Sequence, residues 1–309
     1  RRFVVHSAMP SARALQLCPE LVFVEGRMAR YKVVSRAVHE IFSRYTDVIE
    51  PISIDEAFLD VTENKMGMEL AVDIARDIKK SIREELGLTA SAGVSYNKLL
   101  AKIASDWRKP DGLCTIHPAA ALKFIDQLKV EHLWGVGPAT AKSMHAMGIS
   151  TAKELREVDL PEMVRRFGKV GVAYYNFVRG IDHRPVQPVR ERKSVGCEHT
   201  FERDIGLTRA LEEALPALVA ELLARLASRQ FEGLTLTLKV RFFNFETITR
   251  SRSAKEPWTD RESIAAAATG LLQTVVVPAG GIRLLGLSVS DPVGEHFRQG
   301  RLALEEKYL

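Results

Sequence analysis

Apolar positions in the first 118 residues follow two rhythms, and each predicts a different element. From Met28 to Tyr45, residues Val33, Val34, Ala37, Val38, Ile41 and Phe42 recur at three-to-four spacing, which predicts an amphipathic helix. Met68 to Leu86 predicts a second one, ended by Gly87. Val48 to Val61 is instead rich in β-branched and aromatic residues, interrupted by Asp55-Glu56; it predicts two strands meeting near those acids. Leu21-Val22-Phe23-Val24 predicts a short buried strand. Leu88 to Val94 predicts a strand, Asn97 to Trp107 a helix, and Leu113 to Ile116 a strand. This mixture is that of an α+β layer.

Helix signals dominate residues 119–183: Ala119 to Leu128, Pro138 to Met147, Ala152 to Val158, and Pro161 to Gly180 in pieces. Pro138 suits a first helical turn and Gly148 a helix stop. Arg184 to Glu191, with Pro185 and Pro188, predicts an extended linker. Beyond it, Lys193 to Phe201 predicts a strand. Thr208 to Ser228 predicts a helix kinked by Pro216, with Leu211, Leu215, Leu218, Leu222 and Leu226 inward. Leu234, Leu236, Leu238, Val240 and Phe242 alternate with Thr235, Thr237, Lys239 and Arg241, the cleanest strand pattern in the chain. A partner strand from Glu246 to Ser253, a helix from Arg261 to Val275 and a strand from Arg283 to Ser290 complete a β-α-β-β-α-β order, that of a ferredoxin-like split βαβ module.

The 309 residues allow one to three domains, and 46% hydrophobic with 27% charged residues excludes wholesale disorder. A net charge of +5 permits a polyanionic partner without demanding one. Three scattered cysteines, Cys18, Cys114 and Cys197, show neither a disulfide framework nor zinc spacing, so a cytoplasmic protein is expected. Ile264 to Ile282 is uncharged, but Gln273, Pro278 and three glycines favour a helix plus loop over a membrane span. The chain opens on Arg1-Arg2-Phe3 without a signal segment, like the interior of a longer protein.

Three runs carry candidate chemistry. Ser53-Ile54-Asp55-Glu56-Ala57-Phe58-Leu59-Asp60 sets two adjacent carboxylates between strand-forming flanks. Neighbouring anions repel, so a folded site holding both either carries a cation or stays exposed. Mg²⁺ takes a few carboxylates plus water and phosphates; from the dipeptide alone, a solvated hairpin turn with two acids is the more ordinary reading. Ser91 to Gly112 contains Lys98, Lys102 and Lys109-Pro110-Asp111-Gly112. Pro110 biases Lys109 out of a helix, where its ammonium could meet a triphosphate; a solvated basic helix face is the alternative. Leu133-Trp134-Gly135-Val136-Gly137-Pro138 describes a helix-hairpin-helix, whose glycines let a helix N-terminus approach a nucleic-acid phosphate, or else a plain helical hairpin. From Val164 to Lys193, eight basic residues face two acids, a local excess above the whole chain's. Lys239, Arg241, Arg250 and Arg252 could track a groove from their strands, or make an ordinary polar sheet face. The eight histidines show no ligand spacing, and no Walker loop or nucleophile elbow occurs.

Together and in this order, these runs resemble the Y-family DNA polymerases, nearest the bacterial DNA polymerase IV branch that acts in translesion synthesis. Ser7-Ala8-Met9-Pro10, Phe42-Ser43-Arg44-Tyr45-Thr46, Arg166-Phe167-Gly168-Lys169 and Arg192-Lys193-Ser194-Val195-Gly196 extend the likeness over nearly the whole chain. It implies an α+β right-hand polymerase: partial fingers 1–26, palm 27–118, helical thumb 119–183, linker 184–191, ferredoxin-like little finger 192–291 and tail 292–309. It implies that Asp55 and Glu56 are catalytic and hold metal, as part of a site for two Mg²⁺ ions. Arg1 and Lys109 would bind a deoxynucleoside triphosphate. Gly135, Val136, Gly137, Lys193, Lys239, Arg241, Arg250 and Arg252 would bind primer-template DNA. Gln299, Leu302 and Leu304 resemble a motif that docks on the sliding clamp, departing from it at Gly300. A monomer is the default, with no membrane partner.

The likeness begins at the fingers arginine. The family's N-terminal strand, with another metal-binding aspartate and an aromatic steric gate, is not in this sequence. Either a truncated product or a numbering that omits an upstream segment is expected, and primer extension by residues 1–309 alone is expected to be weak or absent; robust Mg²⁺-dependent synthesis would refute this. A non-catalytic DNA-binding platform of the same fold is the second reading, and a metal-dependent nuclease, which fits the acids but not the Lys109 turn, the third.

Overall fold

The computed structural model describes residues 3–293. Two compact units divide at Val189 and Arg190. In the first, α1 (Ser11–Leu17) and α2 (Met28–Ser43) flank the run Leu21–Val24. That run is not the buried strand its composition predicts. It joins no strand among the described residues, the Leu21 amide turning back to the Cys18 carbonyl at 3.0 Å, and Val22 and Val24 are 80% and 85% exposed. A strand needs a neighbour to satisfy its backbone, and apolar composition alone supplies none.

The strand pair β1 (Ile49–Pro51) and β2 (Ala57–Leu59) forms an antiparallel hairpin, with Glu50 opposite Phe58. Helix α3 (Ala71–Leu86) ends at Gly87, whose φ of 65° is the left-handed cap its position predicts. Ile74, Ile78 and Ile82 of α3 bury against Ile41 of α2 and Tyr45, at the four-residue spacing of one helix face. Tyr45 Oη donates to Asp77 at 2.8 Å, so the phenol is buried with a partner.

β3 (Ala92–Val94) and β4 (Leu113–Thr115) pair in parallel, joined by the crossover helix α4 (Lys98–Trp107). Gly93 sets how close α4 can lie: a Cβ there would meet Ala101 O at 2.0 Å and Ser105 N at 2.3 Å. Asn97 caps α4, its side chain accepting from the Leu100 amide at 3.0 Å.

Leu99, Leu100 and Ile103 of α4 belong to a core that continues through the short helices α5 (Ala121–Ile125), α6 (Pro138–Ala146), α7 (Ala152–Arg156), α8 (Leu160–Phe167) and α9 (Lys169–Phe177). Pro138 opens α6, and Gly148 (φ 78°) follows its end. Before the glycine loop stands only a three-residue 3₁₀ turn, Val130–His132, where a full hairpin helix is expected.

The second unit is a four-stranded sheet, β5 (Ser194–Ile205), β8 (Ile282–Pro292), β6 (Gly233–Phe242) and β7 (Thr247–Ser253) in spatial order, every pair antiparallel. One-turn α10 (Leu207–Arg209), a π turn Ala210–Ala214, and α11 (Leu215–Ser228) connect β5 to β6; α12 (Arg261–Gln273) connects β7 to β8. This is the β-α-β-β-α-β order read from the pattern, as two interleaved split units, with β5 and β7 at the edges. Pro216 sits in the first turn of α11, directly after the π turn, so the missing N–H is accommodated by a change of helix type.

The close approach at Gly93 is testable. Gly93→Ala forces α4 from β3 and should cost about 3 kcal/mol, lowering the melting temperature by about 6–12 °C. An unchanged melting curve would show that the packing tolerates the methyl group.

Candidate functional site

The hairpin β1–β2 displays the acidic pair because its turn closes just before the strand resumes. The Ile52 and Ser53 amides both donate to the Glu56 carbonyl, at 2.9 and 3.2 Å, so residues 53–55 loop outward. Asp55 stands exposed at the tip, its Oδ1 accepting from Ser53 Oγ at 2.6 Å. Glu56, half-buried, points to α4 and meets Lys102 Nζ at 3.2 Å.

From Glu56 the charges alternate along α4. Lys102 also bonds Asp106 at 2.7 Å, and Asp106 holds Lys109 at 2.5 Å. Burial lowers the Lys102 pKa, but its bonds to Asp106 and Glu56 outweigh this and raise it. Asp106 is the mirror case: burial raises its pKa, and the bonds from Lys102 and Lys109 win and lower it. The Lys109–Pro110 peptide is cis, and Asp111, at φ 51°, is gripped by Lys79 (3.0 Å) and Arg83. Lys102 and Lys98 are thus not the solvated basic face that their helical spacing equally suggests. Sequence reading passed over Asp106 as a site member; its signal is the i, i+4 and i, i+3 spacing from Lys102 and to Lys109.

A second charge pair lies at the hairpin's base. Lys98 is buried, 8% exposed, and bonds Glu50 Oε2 at 2.5 Å and the Pro185 carbonyl at 3.2 Å. The Gln187 amide donates to the same Glu50 oxygen at 2.8 Å. Nearby, Asp182 accepts from the Leu99 amide at 3.0 Å and holds Arg184, whose guanidinium lies 4.2 Å from the Trp134 ring centroid. The expected linker 184–191 is therefore fastened at Arg184, Pro185 and Gln187. Neither Glu50 nor Asp182 was singled out from sequence, because their partners on other segments, Lys98 and Gln187 for Glu50 and Leu99 for Asp182, lie 48 to 137 residues away.

The Gly135 loop leads directly into α6. Gly135 has φ 85°, and Tyr174 Oη donates to its carbonyl at 2.9 Å. Gly137 caps α6, and nothing lies within 4 Å of where its Cβ would stand. Val136, Gly137 and Pro138 at the start of α6 line a hollow that continues along the helix past Lys142 to His145, where Glu131 closes it with a bond to His145 at 2.7 Å.

In the second unit the register divides the four strand cations. Lys239 and Arg241 share the outer sheet face with Thr235, Thr237, Ser251, Ser253 and Ser288, whereas Arg250 and Arg252 stand opposite Leu238 and Leu236, on the face that the helices cover. Lys239 pairs with Glu198 at 2.7 Å and Arg241 bonds Thr247 at 2.8 Å. Lys193 is exposed just before β5. Arg1, Gln299, Leu302 and Leu304 lie outside the described residues.

Among the described residues no three His, Cys, Asp or Glu side chains gather to hold a cation. Asp55 and Glu56 supply hard oxygen donors for part of a shell. That suits an ion such as Mg²⁺, which completes its sphere with phosphates and water.

Residues 1–106 match the impB/mucB/samB family, residues 192–302 its C-terminal domain, and residues 131–182 the DNA polymerase-iota thumb domain. A DNA polymerase IV of Bacteroides fragilis is 58% identical over 94% of this chain and 80% of its own. The chain belongs to the Y-family DNA polymerases, in the DNA polymerase IV branch. A DNA polymerase IV of Akkermansia muciniphila is 57% identical over 100% of this chain and 86% of its own. Among solved structures, a Y-family DNA polymerase chimera superposes with TM-score 0.84 at 26% identity, covering 95% of this chain and 85% of that one. As an α+β Y-family polymerase, the chain shares their palm, thumb and little-finger architecture.

Asp182 gives the pH test. Burial raises its pKa, and the bonds from Arg184 and the Leu99 amide overcome this and depress it. Its stabilising contribution is therefore present above the ordinary aspartate value near 4 and lost as pH falls through the lower folded value. Asp182→Asn should cost about 1–3 kcal/mol at pH 7 and almost nothing well below that value, read from denaturant midpoints. A pH-independent difference would contradict the assignment.

Proposed function

We infer that this translesion DNA polymerase transfers nucleotides to a primer 3′ end under template direction, with Asp55 and Glu56 holding part of a two-Mg²⁺ centre. The observation that carries this reading is the turn that sets Asp55 in solvent beside Glu56, which is held by the Lys102–Asp106–Lys109 chain. Y-family polymerases are metal-dependent; the ions, when bound, neutralise charge on the transferring phosphate. This chain's own part is to orient the carboxylates, and Lys102 offsets the charge of Glu56.

Lys109 stands half-exposed and offers a compact charge for the triphosphate; Arg1 is proposed as its partner there. The Gly135–Gly137 loop would seat one DNA phosphate on backbone N–H groups, with no base readout. Lys239 and Arg241 are proposed as further contacts to primer-template DNA from the outer sheet face, Arg250 and Arg252 from the other face of the edge strand β7, and Lys193 from just before β5. On this reading residues 1–26 are partial fingers, 27–118 palm, 119–183 thumb, 192–291 little finger and 292–309 a tail that docks on the sliding clamp. The relatives, named as polymerases, do not favour a non-catalytic platform. No described helix is long and apolar enough to cross a membrane.

In the full-length natural protein, Asp55→Asn or Glu56→Gln should lower kcat for incorporation by at least about 100-fold. Lys109→Ala should raise the nucleotide KM by about tenfold, the loss of one charged hydrogen bond. Undiminished incorporation by the carboxylate variants would end this reading. For DNA, Lys193→Ala with Lys239→Ala should reduce the salt slope of binding by about 2. Deleting residues 299–304 should abolish clamp binding and spare incorporation on short primers.

A further inference from the structure

Lys98 occupies an unfavourable place. It begins α4, where the helix dipole already repels a cation, and it is buried. Three neighbours compensate: the Glu50 carboxylate, the Pro185 carbonyl, and the face of Phe58, whose centroid is 5.0 Å from Nζ. An apolar residue in its place would carry neither cost, so helix stability does not account for the charge.

What the pair does is join segments. Glu50 lies on β1, directly across from Phe58 on β2, and these two strands carry the Asp55–Glu56 turn. Phe58 packs on Trp134 with centroids 5.4 Å apart, and Trp134 immediately precedes Gly135. Arg184 lies over the same indole, and the Pro185 and Gln187 backbones close onto Lys98 and Glu50. One joint therefore touches the base of the carboxylate hairpin, the start of α4, the glycine loop and the segment 184–187.

We propose that Lys98, paired with Glu50, is a positioning residue for nucleotidyl transfer, setting the Asp55–Glu56 turn against the Gly135–Gly137 loop. The proposal rests on the function inferred above: one element seats the reacting phosphate's ions and the other the DNA backbone. Their mutual placement decides whether the primer end and the nucleotide meet in line. Lys98 and Glu50 spend their polar atoms on each other and on the 185–187 backbone, and so would act through the elements they join.

The test is a double-mutant cycle in the full-length natural protein, comparing Lys98→Met, Glu50→Gln and both together by melting temperature and by kcat and KM for a nucleotide. Each single variant strands a charge and should lose both stability and kcat, the latter by about 10- to 100-fold, with nucleotide KM within about twofold. The double variant strands none and should recover melting temperature while kcat stays low. A kcat that recovers together with stability, or singles that change KM alone, would overturn the proposal. Ile82→Val, in the separate core between α2 and α3, controls for stability and should leave kcat unchanged. Asp55→Asn in the same assay separates the two claims. If it keeps full incorporation, the function assigned to the turn fails. If it is inactive while the double variant regains kcat, positioning by Lys98 alone fails.

Discussion

Carboxylates on successive residues repel each other, and the β1–β2 turn meets that constraint by pointing the two in different directions. The turn closes on the Glu56 carbonyl, which sends Asp55 into solvent and Glu56 back toward α4. Lys102 meets Glu56, Asp106 meets Lys102, and Lys109 meets Asp106, so each charge has an opposite beside it. The arrangement depends on how near α4 lies to β3, and Gly93 sets that distance. A methyl group at the strand would move the lysine that offsets the glutamate. In this way a packing detail in the sheet reaches the chemistry at the turn.

The same unit uses a second, buried pair for a different end. Glu50 and Lys98 face each other where water is scarce, and a backbone amide and carbonyl from 185–187 complete their bonds. Stability alone does not call for such a pair, but a fixed geometry between distant segments does. The second unit works by contrast through flat chemistry. Its outer sheet face is mostly Ser, Thr and Gly, with Lys239 and Arg241 offering charge from one end. Small side chains of this kind let a polyanion come close to the sheet.

Much of this was legible in the residues, and the legible part was local. Helical spacing located α2, α3 and α4 to within a few residues, and strict alternation located β6. The hairpin around Asp55-Glu56 followed from β-branched flanks, and Gly87 and Gly148 marked helix ends. What failed depended on partners far along the chain. Leu21–Val24 has the composition of a strand and, among the described residues, no neighbouring strand to pair with. The linker at 184–187 looked free because Glu50 and Lys98 lie far upstream of it. Arg250 and Arg252 were grouped with Lys239 and Arg241 because all four sit on strands, and only the cross-strand register assigns them to opposite faces. Long-range ion pairs and register leave no periodic trace; the ordered set of motifs compensated for this by pointing to the family.

The central claim is that Asp55 and Glu56 hold divalent ions together with the phosphates of an incoming nucleotide. The most direct measurement is Mn²⁺ binding, followed by electron paramagnetic resonance, to the full-length protein on primer-template DNA with a non-hydrolysable nucleotide. The account predicts two bound ions per complex, with affinity lost when Asp55 and Glu56 are both replaced by their amides. Ion binding that is indifferent to those two side chains would contradict it.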